Sequence, residues 1–249
     1  MRAVVLALIA ASILTAATGP YRPTAEPVEY VSQNDFVLWF VQGADTLGDP
    51  VSTRSRETLH VREADGGLEV AVDMVDEAFS SSHVYGIDAS GRVGSVDGSP
   101  VDEIATPRVD VLPRVPVAWA ELSPGTTWED VVTRSGEEPF GSTAYTARRS
   151  YRVVGEEDAF GTRALLLVAT GSVQLRQGGF QDPAQAVRWW QEVEGPVLDS
   201  VWFDVETRSL LANATHMDLA GTAGFEGGGD AITLPSGLRS SVRRVPPGS

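Results

Sequence analysis

The chain has 249 residues and 34 acids against 19 basic residues, every one of them arginine, for a net charge of −15. Its 42% hydrophobic content is too high for an acidic disordered tail and supplies a packed core, and the charge argues against nucleic acid and against electrostatic docking on anionic membranes. With no cysteine, there are no disulfides, thiolate metal sites, cysteine nucleophile or lipid-bearing N-terminal cysteine.

Residues 1–17 open with Met1-Arg2 and continue as an uncharged run from Ala3 to Ala17. A bilayer span needs about 20 apolar residues, so this run reads as a signal peptide ending at Thr15-Ala16-Ala17 rather than as a membrane helix. Its removal leaves 18 arginines against 34 acids, a net charge of −16. The expected location is the periplasm or the exterior, with no transmembrane span in the mature chain. Residues 18–27 carry three prolines and read as an extended linker, and 28–245 as a single β domain with a tail at 246–249.

From Val28 onward the apolar residues recur with period two. Leu68, Val70, Val72 and Met74 alternate with polar or small neighbours, as Leu59 and Val61 do before them, and Asp65-Gly66-Gly67 between the two runs predicts a tight hairpin. Phe36–Val41 and Ala164–Ala169 are apolar at both parities, the pattern of a strand covered on both faces. Tyr145, Tyr151 and Val153 share one parity on a strand near 143–154. Asp204–Arg208 reads as a turn, 209–220 as a strand, the glycine-rich 221–230 as a loop and 231–245 as a last strand.

Residues 183–194 support two readings. Asp182-Pro183-Ala184-Gln185 has the chemistry of a helix start, and Ala186, Trp189, Trp190 and Val193 follow at helical spacing before Gly195-Pro196. Read as a strand, Val187, Trp189 and Val193 share a face. The fold expected is therefore mainly β and antiparallel, with either one short helix or an extended arm near 183–194.

Without lysine there is no Walker lysine, Schiff base or lysine general base, and His60, His83 and His216 lack metal-ligand spacing. No cofactor and no catalytic residue is assigned. Asp97, Asp102 and Glu103 gather hard oxygen ligands in one loop, a weak calcium candidate that does not match the twelve-residue calcium pattern. The six tryptophans are the more suggestive feature. Trp39, Trp189, Trp190, Trp202 and Phe203 are the candidate lining for a hydrophobic ligand.

Ser123-Pro124-Gly125 with Trp128 opens a run of strands, and Ser200-Val201-Trp202-Phe203-Asp204, a short turn and Leu210-Leu211 follow. Over about 120–222 this resembles secreted bacterial half-barrel proteins of the LolA/LolB lipoprotein-carrier type and related exported families. The resemblance implies one strongly curved antiparallel sheet, a half-barrel or open barrel, with an apolar concave face able to hold acyl chains. The leading expectation is an exported, non-catalytic protein binding a lipid or acyl chain on that face. The alternative is a structural or protein-interaction module of the cell envelope with a filled interior, and the third is an extracytoplasmic hydrolase using paired carboxylates. Whether the concave face is empty or filled separates the first two.

Overall fold

A computed structural model describes residues 21–38, 40–42, 45–47, 50–65, 67–76, 80–88, 91–101, 112–138, 141–182, 187–226 and 228–246. The expected signal peptide lies outside these residues, as do Trp39, Asp102, Glu103 and the side chains of Phe36–Leu38 and Phe40–Val41. Fourteen strands follow one another: β1 Val28–Leu38, β2 Phe40–Gln42, β3 Asp45–Leu47, β4 Pro50–Ala64, β5 Gly67–Val75, β6 Ser80–Ile87, β7 Val93–Val96, β8 Ser99–Pro100, β9 Thr127–Glu138, β10 Gly141–Ala159, β11 Thr162–Asp182, β12 Val187–Asp204, β13 Leu210–Phe225 and β14 Gly228–Arg244. They form one antiparallel sheet in the order β8-β7-β6-β5-β4-β1-β14-β13-β12-β11-β10-β9, with β2 and β3 attached beside β14. It is an open, curved sheet with free edges at β8 and β9.

Most local expectations hold. The β4–β5 hairpin closes at Ala64↔Gly67, and Leu68, Val70 and Val72 are buried on one face of β5. At the 204–208 turn, Asp204 Oδ1 accepts the amide hydrogens of Glu206 and Thr207, each at 2.8 Å. In the doubly apolar run of β11, Leu165, Leu167 and Ala169 are buried, while Leu166 and Val168 on the other face are half-buried.

Two expectations are corrected. The helix reading near 183–194 gives way to strand from Val187 on: β12 is paired along both sides, with β11 and β13, and two ladders of backbone hydrogen bonds outweigh a local helix signal. The glycine-rich 221–230 is not a loop, because β13 runs to Phe225 and β14 starts at Gly228. Its glycines answer to packing. A Cβ on Gly221 would overlap the carbonyl oxygen of Glu192 on the adjacent strand. The same holds for Gly171 against Arg148 and for Gly195 against Asp218. Gly171 of β11, Gly195 of β12 and Gly221 of β13 each lie two residues off direct pairing with the next, so they form a diagonal crease along which the sheet bends tightly.

The face turned inward by this bend carries two apolar clusters. The large one joins β4–β7 to β9–β13 and includes Leu68, Val70, Tyr85, Val153, Leu167, Val201 and Phe203. Two irregular segments complete it. Loop 112–126, with one 3-10 turn at Trp119–Glu121, contributes Leu112, Val115 and Leu122. The proline-rich stretch read as a linker contributes Tyr21, 3% exposed, whose hydroxyl donates to the Pro113 carbonyl. The small cluster holds Ala147, Val173, Val197 and Met217, further along the same face of β10–β13.

Candidate functional site

Of the five ligand-lining candidates, the four that are described do not come together at one place. Phe203 is fully buried in the large cluster, edge-on to Tyr21 at 5.5 Å and to Trp119 at 6.3 Å. Trp202, its neighbour in the strand, points to the opposite face, where its indole N–H donates to Glu157 at 2.7 Å and its ring meets Phe160 edge-on. Trp189 and Trp190 lie thirteen positions back along β12, about 40 Å at strand rise. The aromatics that close the core are Trp119 and Trp128, the latter stacked on Tyr151 at 5.2 Å. The calcium candidate Asp97 spends both carboxylate oxygens internally, on His83 Nδ1 and on the Val84 amide, each at 2.8 Å. Hydrogen bonding from His83 leads the causes that hold its carboxyl below the usual value.

What the structure does assemble is a polar belt between the two clusters. Asp130 of β9 pairs directly with Arg149 of β10, and Arg149 with Gly171 of β11. On the far side of β11, Asp199 of β12 pairs with Ala169 and with Thr215 of β13. The row continues through Ser240, Asn34 and Thr53 on β14, β1 and β4. Arg149 Nε reaches Asp199 Oδ2 at 2.6 Å although a whole strand separates them. That strand shows only a glycine and a methyl group at the crossing, which leaves the lane open. Asp199 is buried and Arg149 half-buried, their side chains 6% and 14% exposed. Burial pulls the Arg149 guanidinium down, but Asp199 and the phenols of Tyr145 and Tyr151 outweigh it and hold the group above its ordinary value. A second ion pair joins Arg114 of the covering loop to Asp130 at 2.6 Å, and the Trp128 indole N–H donates to the Arg114 carbonyl at 3.3 Å.

Over this part of the belt lies a recess of about 110 Å³. Its walls come from β9, β10, β12 and β13, its roof from Gly91–Arg92 and Leu112–Arg114. Two buried acceptors at its wall, Asp199 Oδ1 and Asn213 Oδ1, have no hydrogen-bond partner among the described residues. Both carboxylates in it are bound to guanidinium groups. Sequence reasoning missed this site, though it had a readable signal. Arg149 stands at the apolar parity of Tyr145, Tyr151 and Val153, and Asp199 at that of Val197, Val201 and Phe203. A charge on the apolar side of a strand marks a buried ion pair.

No protein-family model matches the chain, and no curated protein is recognisably similar to it. Among solved structures, OpdQ of Pseudomonas aeruginosa aligns over 88% of this chain and 97% of its own, at 9% identity and a TM-score of 0.23. A superposition that loose shows no shared architecture. None of the comparisons supports the resemblance to the LolA/LolB carriers. The concave face departs from it too, since the chain's own side chains fill the large cluster.

Proposed function

We propose that the protein is an exported, non-catalytic β-sheet protein that holds a small polar molecule in the recess beneath loop 112–126. The observation that carries this is Asp199. Asp199 lines the recess and is 4% exposed, with one oxygen bound by Arg149 and the other buried without a hydrogen-bond partner among the described residues. An unsatisfied buried acceptor costs about 1–3 kcal/mol, so a donor arriving from outside the chain would be well rewarded there. Export rests on the run Ala3–Ala17 and the small residues that end it.

Size supports a small polar ligand over an acyl chain. Pockets for drug-sized molecules run to about 300–1,000 Å³, well above the volume of this recess, and the apolar part of the same face is occupied by Val70, Leu167 and Phe203. That filled interior equally favours the second reading, a structural or interaction module of the envelope. A panel of sugars, polyols, amino acids and organic acids, followed by thermal shift and calorimetry, separates the two. At least one class should raise the unfolding midpoint, with the effect weakened by Asn213→Ala. A flat response across the panel leaves the module reading in place. Titration with long-chain fatty acids should leave tryptophan emission unchanged; a saturable blue shift would restore the acyl-chain reading.

A further inference from the structure

We propose that Arg22, Arg208 and Arg244 form a surface site for a phosphate-type oxyanion, free phosphate or a phosphate monoester. The three arginines lie outside the recess, so the site goes beyond the polar-ligand reading and does not depend on it. Arg22 and Arg208 line one cleft together with Ser209, and Arg244 Nη1 donates to Ser209 Oγ at 3.1 Å. Arg244 also pairs across the sheet with Tyr30, which lines the same cleft. The floor is closed: Tyr21, Tyr30, Leu59 and Leu210 are buried, and the free volume is about 20 Å³, room for about one water. The arginines stand at the rim, Arg22 exposed and Arg208 and Arg244 half-buried. An anion therefore meets them from solvent without entering the core.

Among the described residues no carboxylate pairs with any of the three, although acids outnumber arginines by 34 to 19. Arg62, Arg163 and Arg176, also on the surface, each have a glutamate. Glu26, Glu29 and Glu206 lie nearby in sequence but are exposed and bind none of the three. Burial and the charge of Arg22 hold Arg208 below its ordinary value, a repulsion that a bound anion relieves. The groups are also held in place. Arg208 lies over the Trp119 ring, 5.5 Å from its centre, and takes φ 56°, the left-handed region where glycine would be unstrained. Arg22 follows Tyr21, whose hydroxyl donates to Pro113, and precedes Thr24, whose amide donates to the Val61 carbonyl at 2.9 Å. Arg244 spends one of its five N–H donors on Ser209. Three guanidinium groups approaching from different elements suit a tetrahedral dianion, with oxygens in several directions and two charges, better than a flat carboxylate with one. The acidic surface around them repels extended polyanions and leaves the site to small ones.

Calorimetry on the purified chain in a zwitterionic buffer tests this with inorganic phosphate, glycerol 3-phosphate, acetate and chloride at equal ionic strength. Phosphate or its monoester should bind about tenfold or more tightly than acetate and chloride, and whichever of the two binds better tells the free anion from the ester. Arg208→Gly suits the local backbone and should weaken phosphate by about tenfold; Arg22→Gln and Arg244→Gln should each do so several-fold. Arg152→Gln removes the same charge from the outer face of β10 and should bind phosphate as the unaltered chain does. Circular dichroism of each variant confirms that the sheet is intact. Acetate or chloride binding as tightly as phosphate overturns the proposal, as does phosphate affinity unchanged by Arg208→Gly or lowered equally by Arg152→Gln. Silence from both phosphate probes overturns it as well and leaves the reading of the recess untouched.

Discussion

The two apolar clusters share one face of one sheet, yet they are built by different means. The large cluster counts 23 buried residues among those described, drawn from strands on both sides of β1 and β14 and from two irregular segments laid over them. The small cluster counts four, all from the adjacent strands β10–β13. The alternation of apolar residues is similar in both regions. What differs is the cover: the large cluster is closed by Tyr21, Leu112, Val115 and Leu122, whereas the small one sits at the glycine crease and is sheltered by curvature. Alternation therefore says which face a residue takes, and the covering segments decide how deeply it is buried.

Removing bulk should separate the clusters most sharply. Phe203→Ala, at the centre of the large cluster, is expected to cost about 3–5 kcal/mol in urea unfolding, whereas Val197→Ala in the small cluster should cost roughly 1–2 kcal/mol. Equal losses would mean the small cluster is as tightly closed as the large one. Gly195→Ala attacks the crease instead. Its Cβ needs the space of the Asp218 carbonyl, so the β12–β13 pairing must part locally, at an expected cost of about 2–3 kcal/mol. Hydrogen exchange should speed up at amides around Val193, Val197 and Met217 while those around Val70 and Leu167 keep their protection; uniform acceleration would show that the two regions unfold as one unit.

A smaller effect should appear in alkali, and only in the large cluster. Burial leads the causes that push the Tyr30 hydroxyl up to about 12, and the group donates to the Leu210 carbonyl at 2.9 Å. With the folded value raised, the folded chain keeps a proton that the unfolded chain loses above about pH 10. Stability from this group is therefore complete below pH 10 and declines up to about 12, by roughly 2 kcal/mol. Tyr30→Phe should flatten that decline in unfolding experiments from pH 9 to 12. An unchanged slope would assign it to Tyr21, whose hydroxyl is also raised by burial.

Strand character, the β4–β5 hairpin and the 204–208 turn were legible because each depends on residues a few positions apart. Gly221 reads as a loop residue in the sequence because glycine at a turn and glycine at a crease look alike in one dimension. Only the register of β12 against β13 tells them apart. The 183–194 segment was ambiguous for a related reason, since its fate depends on the long partner strands and not on its own caps. The site was hidden more deeply. Arg149 and Asp199 are fifty residues apart and meet only because β11 crosses between them with Gly171 and Ala169. The tryptophans draw attention as large, rare residues, but among those described Trp119 and Trp128 close a core while Trp189, Trp190 and Trp202 are spread along both faces of the sheet.

The glycine diagonal also bears on how the long strands find their places. Strands of 16–21 residues with simple alternation can slide past one another, and alternation penalises only odd shifts, which turn every side chain to the wrong face. A shift of two residues restores the faces and would pass unnoticed by hydrophobicity. Here it would bring Val193 or Val197 to the place of Gly195, where any Cβ collides with the backbone of β13. The period-two pattern thus forbids odd slips and the crease forbids even ones, so three residues without side chains act as a vernier that leaves the sheet a single alignment.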